Sequence, residues 1–359
     1  MKESLFKELV DKYLAGVVGK VVETENGATT PPTLLHKTML TNEYSPNLNW
    51  GASTLNNSVV AADVVSLDSS LPLKSRATLR VATGKLPKLG LKYRKSESEI
   101  SDLNVMMARG TNEATIASKL LDDTVRAIKA IDVRNEIMFL QGLSSGVVLV
   151  TDEDNQGTGI RASFGYKDEN KVKAKKAWSM AGATPLTDIT AVFDKANADS
   201  NPIAHVYIDT KTFNELRSSE EGKMLGASYS GHVVTDKTLL AVPPRATFLE
   251  ALRDEYGAEW HVIDSKYRIE GLDGTKKAAN AWTEGNIVFT PTDKVGRLVY
   301  GTLVEETNPV NGVVYQKAGD YTLISKYSTN DPVEEYTAGQ ALCLPVIDGA
   351  DAIYLLTQK

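Results

Sequence analysis

The stretch from Thr111 to Gln141 contains neither glycine nor proline, and Gly110 and Gly142 bracket it. Ile116, Leu120, Ile128, Ile131 and Met138 recur within it at helical spacing, joined by Leu121, Val125 and Ile137. Thr111 is placed to act as N-cap, Glu113 suits the positive first turn, and Gly142 suits a C-terminal stop. Asp122 and Arg126 form a well-oriented i, i+4 pair. At about 1.5 Å per residue such a helix is roughly 45 Å long. A helix of that length acts as a spine, and the rest of the chain must fold around it.

The residues after it, 142 to 171, overlay three chemical signatures. Gly142, Ser144 and Gly146 fit the spacing of a serine nucleophile elbow, Asp152, Asp154 and Gly157 the start of a calcium loop, and Gly157, Gly159 and Ala162 a dinucleotide fingerprint. Each fails in its context. An elbow needs a strand before its serine and a helix after it, whereas here the helix precedes Ser144 and the apolar run Val147–Val150 follows. The calcium loop has Ser163 where its twelfth position needs a glutamate. A dinucleotide fingerprint opens a helix, but Ile160, Ala162, Phe164 and Tyr166 alternate like a half-buried strand. The segment therefore reads as helix, strand, acidic Gly-rich turn (Asp152 to Gly159) and returning strand. No reaction, cofactor or catalytic residue is expected there.

Composition narrows the function classes. A chain of 359 residues with 42% hydrophobic and 24% charged content has enough apolar surface for a sizeable core. The formal charge of −6 implies no general affinity for nucleic acid or anionic membranes. Cys343 is the single cysteine, so no intramolecular disulfide is possible, and a reducing compartment is expected. His36, His205, His232 and His261 are too scattered for metal-ligand spacing and read as structural or surface histidines; no metal is expected. The N-terminus mixes charges with apolar residues, unlike a signal peptide, and no run is long enough to span a bilayer.

Elsewhere the pattern is mixed. Residues 3–14 place Leu5, Phe6, Leu9, Tyr13 and Leu14 at helical spacing. Residues 22–60, rich in Thr, Asn, Gly and Pro, show little sustained period and predict an arm lying on something else. Residues 74–95 carry eight basic side chains and no acidic one. Their alternation predicts a two-stranded excursion with its tip near Gly84–Pro87. A nucleic-acid ribbon is one reading of it, but Tyr93 is its single aromatic platform; a protruding hairpin against an acidic protein surface is the other. Helices are predicted at 185–198, 210–219 and 247–257, with strands at 203–209, 260–264, 286–291, 296–306, 321–328 and 341–347. This order is α+β, not a regular α/β alternation.

Spine helix, immediate hairpin, basic excursion and long N-terminal arm together resemble the major capsid proteins of lambda-like tailed phages (the phage major capsid protein E family), which adopt the Hong Kong ninety-seven fold. The resemblance runs from roughly residue 60 to the end. Phe164-Gly165 resembles the family's Asp-Phe-Gly segment, with Ser163 in place of the acid. Trp178-Ser179, Pro185 and Asp188-Ile189 are similar to its Trp…Pro…Asp run. Residues 206–219 resemble its strand, aspartate and aromatic helix, and 284–301 its late glycine-valine strand before a Tyr-Gly. Residues 331–356 are similar to its C-terminal segment, except that Ala341-Leu342 stands where Pro-Leu is usual.

The resemblance implies an architecture and partners. Residues 1–60 are expected to be an N-terminal arm and 61–100 an extended β-hairpin loop. A peripheral domain is expected over 101–182, with its spine helix at about 111–141 and its hairpin at about 146–167. An axial domain would fill 183–290, and 291–359 would return to both sheets. The implied product is a head of hexamers and pentamers enclosing double-stranded DNA, which the acidic subunit contacts only weakly. A scaffolding protein in trans, a portal and a decoration protein are implied partners, and the implied location is the virion after assembly in the host cytoplasm. The basic residues Lys74, Arg76, Arg80, Lys85, Lys88, Lys92, Arg94 and Lys95 are expected to meet Glu113, Asp122 and Asp123 on an adjacent copy. Some relatives cross-link a loop lysine, a role Lys85 or Lys88 could fill, but lambda-like members are not expected to. A nanocompartment shell of the same fold and a soluble α+β enzyme or ligand-binding protein are the alternatives.

Overall fold

A helix of 33 residues, Glu113–Ser145, about 50 Å long, runs through the computed structural model of the chain. The structure describes residues 2–27, 33–53, 81–150, 159–231, 240–264, 266–270 and 274–358. Two compact units divide the chain. One comprises Met1–Trp50, Thr83–Phe139 and Arg297–Val346, the other Gly51–Ala82, Leu140–Gly296 and Ile347–Lys359.

The spine helix departs from expectation at both ends. Asn112, one residue later than the expected Thr111, caps the start: its side-chain oxygen accepts the Ala114 N–H at 2.8 Å. At the other end Gly142 does not stop the helix but lies inside it, because the helix needs a position without a side chain there. A Cβ on Gly142 would lie 2.7 Å from the Phe164 ring, 3.2 Å from Val148 and 3.3 Å from Ile347. The stop falls at Gly146, whose φ of 75° an L-residue adopts reluctantly. The hairpin predicted after the helix is present. Val147–Val150 pairs antiparallel with Ile160–Ser163, and Val147 faces Ser163. The turn between them, 151–158, lies outside the described residues.

The first unit is built on a six-stranded sheet. Leu40–Tyr44, Gly296–Gly301, Val333–Ile347, Thr322–Asn330 and Val314–Ala318 follow one another across it, and Lys88–Lys95 also pairs with Val333–Ile347. Of the 15 residues of Val333–Ile347, 11 are buried and the other 4 half-buried, as expected of a central strand covered on two sides. The N-terminal helix, predicted over 3–14, is Lys7–Glu25. Phe6, Leu9, Val10, Leu14 and Val18 form its apolar stripe and share a core with Ile100, Leu103, Ile116, Leu120, Leu121 and Ile128.

Two expectations are corrected in this unit. Residues 22–60 were expected to form an arm lying on something else. Among the described residues, 2–25 pack on the chain's own core, and 33–53 form the short elements Leu35–Met39, Leu40–Tyr44 and Asn49–Ser53. Elements of five residues carry too little period to be legible. Residues 74–95 were expected to form one protruding hairpin. Instead Val81–Lys85 pairs with Asn49–Ser53, while Lys88–Lys95 enters the sheet, in register from Glu335↔Lys95 to Leu342↔Lys88. The alternation of Leu89, Leu91 and Tyr93 did report a strand with one apolar face, but alternation is silent about the partner strand. Most of the excursion before it, 54–80, lies outside the described residues. The helix Glu97–Ala108, opened by a Ser96–Glu99 capping box, falls where the expected loop region ends.

The second unit centres on a five-stranded mixed sheet in the order Lys171–Lys173, Tyr354–Thr357, Asn286–Thr290, His205–Asp209, Glu259–Ile263. Helices Pro185–Ala198, Thr210–Ser218, Glu220–Tyr229 and Arg245–Tyr256 accompany it. Their apolar faces bury Ile189, Val192, Phe213, Leu216, Phe248 and Leu252 against Val206, Ile208, Ile287, Phe289, Tyr354 and Leu356. Asp209 caps one helix by accepting the Lys211 and Thr212 N–H groups. Among the described residues, Lys266–Glu270 and Lys276–Asn280 pair with each other as a two-stranded ribbon. Helix and strand thus mix in the α+β manner predicted.

Gly142 provides a test. Alanine is the better helix former by about 1 kcal/mol, but its methyl group would overpack a site walled by the buried Phe164 and Val148, at about 1–3 kcal/mol. Gly142→Ala should therefore lower stability by up to about 2 kcal/mol, read as a lower thermal midpoint. A raised midpoint would show that the site relaxes freely.

Candidate assembly surfaces

Three acidic side chains of the spine helix are buried, and basic groups of the same chain meet each one. Asp123 receives Lys95 at 2.8 Å. Asp132 receives Lys37 at 2.7 Å and the Tyr321 hydroxyl at 2.7 Å. Glu136 receives His36 Nδ1 at 2.7 Å, the His36 N–H at 2.8 Å and the Leu35 N–H at 3.0 Å. Nine residues at about 100° each put Asp123 and Asp132 on opposite sides of the helix, so the helix is held from both. Removing one member of a buried pair typically costs about 3–5 kcal/mol, because the other charge is left uncompensated. The sequence carried no signal for Asp132, Glu136, His36 or Lys37, since a buried acid on a helix reads like a solvated one.

The extreme N-terminus is tied to the same sheet. Lys2 forms a backbone bridge with Ser328. The Ser4 hydroxyl and the Leu5 N–H donate to the two carboxylate oxygens of buried Glu335. Beneath them lies Lys326, fully buried, with its ammonium on Thr337 Oγ1 at 2.8 Å.

The residues expected to meet a neighbouring copy divide into groups. Lys74, Arg76 and Arg80 lie outside the described residues. Lys85 is exposed at the end of its strand. Lys88 pairs with Glu305 at 2.9 Å, Arg94 with Glu334 at 3.0 Å, and Lys92 lies over the Tyr336 ring at 4.8 Å. Glu113 is exposed and bonded to Lys12 at 2.6 Å, and Asp122 is exposed and bonded to Arg126 at 2.6 Å, the pair the helical spacing predicts. Asp123 corrects the expectation of an outward acid. It is 7% exposed and closed off by Lys95 of its own chain. The physical reason is the sheet register, which carries Lys95 over the spine.

The serine of the elbow spacing, the cysteine and two of the histidines all have bonding partners within the chain. Ser144 sits inside the helix, buried, and bonds Gln141 O and Thr283. Burial pushes the Cys343 thiol up to about 12, and it donates to Asn135 Oδ1 at 3.3 Å. His205 and His261 bond ring to ring at 3.2 Å, with His261 driven below the ordinary histidine value first by burial and then by His205. Among the described residues no three His, Cys, Asp or Glu side chains gather as a metal site, and no helix is long and apolar enough to cross a membrane.

In the second unit an open groove of about 1080 Å³ is lined by Trp178, Lys211, Glu215, Glu220, Asp264 and Trp282, among others. Lys211 turns to Glu284 across it, and the Trp178 indole is bonded to Asp188 at 3.1 Å beneath its surface.

Against known proteins, a family model described as phage major capsid protein E matches residues 20–358. A prophage chain from E. coli CFT073 described as a capsid protein superposes with a TM-score of 0.56 at 15% identity, covering 96% of this chain and 99% of that one. A phage-related protein from Bordetella bronchiseptica RB50 gives 0.49 at 11% identity over 94% and 96%. The capsid asymmetric unit of cyanophage A-1(L) gives 0.49 at 11% identity over 90% and 93%. The first of these shows the fold; the other two scores add no argument. No curated protein matches the sequence.

Burial lowers the pKa of Lys326 to about 8, against a favourable pull from Glu335 and Asp123 and an opposing push from Lys95. Above about pH 8 the folded chain holds this amine neutral while the unfolded chain still binds its proton. Unfolding then takes up a proton, so this residue's contribution to stability rises with pH until the unfolded amine also titrates. Relative to Lys326→Met, the wild type should gain about 1–3 kcal/mol between pH 7 and pH 10 in denaturant melts. A flat difference would show that the ammonium stays charged when buried.

Proposed function

The chain belongs to the phage major capsid protein E family and is a structural shell protein of a bacteriophage capsid, not an enzyme; we propose that it assembles as rings of six and five copies into the head of a lambda-like tailed phage. The observation that carries this reading is the family match across residues 20–358.

Within this reading, Lys74, Arg76, Arg80 and Lys85 contact a neighbouring copy. Glu113 and Asp122 serve as counter-charges, because their exposed pairs with Lys12 and Arg126 are worth little and exchange readily. Lys88, Lys92, Arg94, Lys95 and Asp123 act inside the subunit instead. Many such weak contacts, repeated around a closed lattice, give the shell its stability through avidity. A scaffolding protein acts in trans, with a portal at one vertex and decoration proteins outside. With a net charge of −6, the subunit grips packaged DNA only weakly. Assembly takes place in the host cytoplasm.

Sedimentation and negative-stain imaging test the reading. The purified chain, alone or with the co-encoded scaffold, should form rings, sheets or closed particles, and Arg76→Glu/Arg80→Glu should reduce particle yield about ten-fold. A chain that stays monomeric with its scaffold present overturns the shell assignment. Undiminished particles from the double variant overturn the contact assignment alone.

A further inference from the structure

Two histidines 56 residues apart in the chain meet on one face of the second unit's sheet. His205 stands on the strand His205–Asp209 and His261 on Glu259–Ile263, which run parallel in the register His205↔Glu259 and Tyr207↔His261. Side chains alternate along a strand, so His205, Tyr207 and His261 share a face, while Val206, Ile208 and Trp260 belong to the apolar core on the other. His205 Nδ1 and His261 Nε2 are 3.2 Å apart. The ring centroids are 5.4 Å apart, which places the two nitrogens between the rings. Tyr207, 2% exposed, fixes the arrangement: its ring stacks on His261 at 4.8 Å and lies 6.4 Å from His205. Both imidazoles are half-buried, so each keeps part of its surface in solvent.

A hydrogen bond between two neutral imidazoles needs one ring to donate and the other to accept. When the donor's proton sits on its other nitrogen, two lone pairs face the same space. Zinc binds imidazole nitrogen at about 2.0–2.1 Å, so two such ligands at a tetrahedral angle hold their nitrogens about 3.3 Å apart. The pair in this chain therefore already has the bite of a chelating site. Each ring is carried on a hydrogen-bonded strand, and sites on strands keep their geometry more closely than sites on loops. Glu259, in register with His205, is paired to Arg253 at 2.6 Å. Among the described residues no third His, Cys, Asp or Glu completes a cluster. The set is thus two nitrogens, which suits zinc, copper, nickel or cobalt, whereas magnesium and calcium take oxygen.

We propose that His205 and His261 form a two-histidine site for a divalent transition ion of the zinc class, with Nδ1 of the first and Nε2 of the second as ligands and solvent in the remaining positions. The sequence hides the site, because ligand spacing is legible only over short windows and the sheet register alone joins these two residues. The inference goes beyond the shell reading and does not depend on it.

Calorimetric titration of the full-length chain with zinc chloride at about pH 7.5, where an ordinary imidazole is mostly neutral, tests it. One equivalent should bind. His205→Ala and His261→Ala should each weaken that binding about ten-fold or more, with unchanged far-UV circular dichroism, since even outer-shell partners of a metal are worth that much. A second measurement needs no variant. Acylation of the wild-type chain by diethyl pyrocarbonate, mapped by peptide mass, should slow about ten-fold at His205 and His261 with zinc at ten times its dissociation constant, and not with magnesium. Zinc binding that both variants retain, equal acylation rates with and without zinc, or equal protection by magnesium overturns the inference and leaves the pair as a hydrogen bond between rings. Neither readout involves shell formation, so a chain that fails to assemble overturns the shell reading alone.

Discussion

Burial of the spine helix's carboxylates is the constraint on which the first unit depends. A helix about 50 Å long cannot bury Asp123, Asp132 and Glu136 unless each finds a cation or N–H donors. The chain supplies these from two sequence-distant places, the strand ending at Lys95 and the short helix at Leu35–Met39. Because leaving any of the three unpaired is costly, the N-terminal segment and the basic strand are drawn onto the spine. What would otherwise be loose limbs become part of the subunit body.

That arrangement changes how charge is distributed between fold and assembly. Several basic side chains that sequence reading assigns to neighbours are used inside the subunit, by Glu305, Glu334, Tyr336 and Asp123. Ion pairs at the surface, such as Lys12–Glu113, contribute little and can be exchanged. The buried Lys95–Asp123 pair is not exchangeable on the same terms, because breaking it strands a charge in a low-dielectric interior.

Each unit also has its own apolar core, and the chain enters both near its end. Val333–Ile347 is central in one sheet, and Tyr354–Thr357 lies inside the other. A C-terminal strand in the interior of a sheet is covered on both edges, so the last residues complete the second core instead of trailing from it. Phe139 and Leu140 are fully buried in the spine helix, while Gly142 brings Phe164 and Val148 against that helix's last turns.

The sequence by itself determined the elements that carry long or regular patterns. The spine helix, the hairpin behind it, the helix Pro185–Ala198 and the alternation of Leu89 to Tyr93 were all legible, because period and capping chemistry are local properties. The failure of the elbow signature was legible for the same reason, since a helix runs through Ser144 and a strand follows it. Only the tertiary structure decided what those elements pair with. It converted Gly142 from a stop into a packing site, placed 88–95 in a sheet, folded 2–25 onto its own core and closed Asp123 beneath Lys95. Pairing partners, and the burial that follows from them, depend on contacts between residues far apart in the chain. Local periodicity contains no term for such contacts.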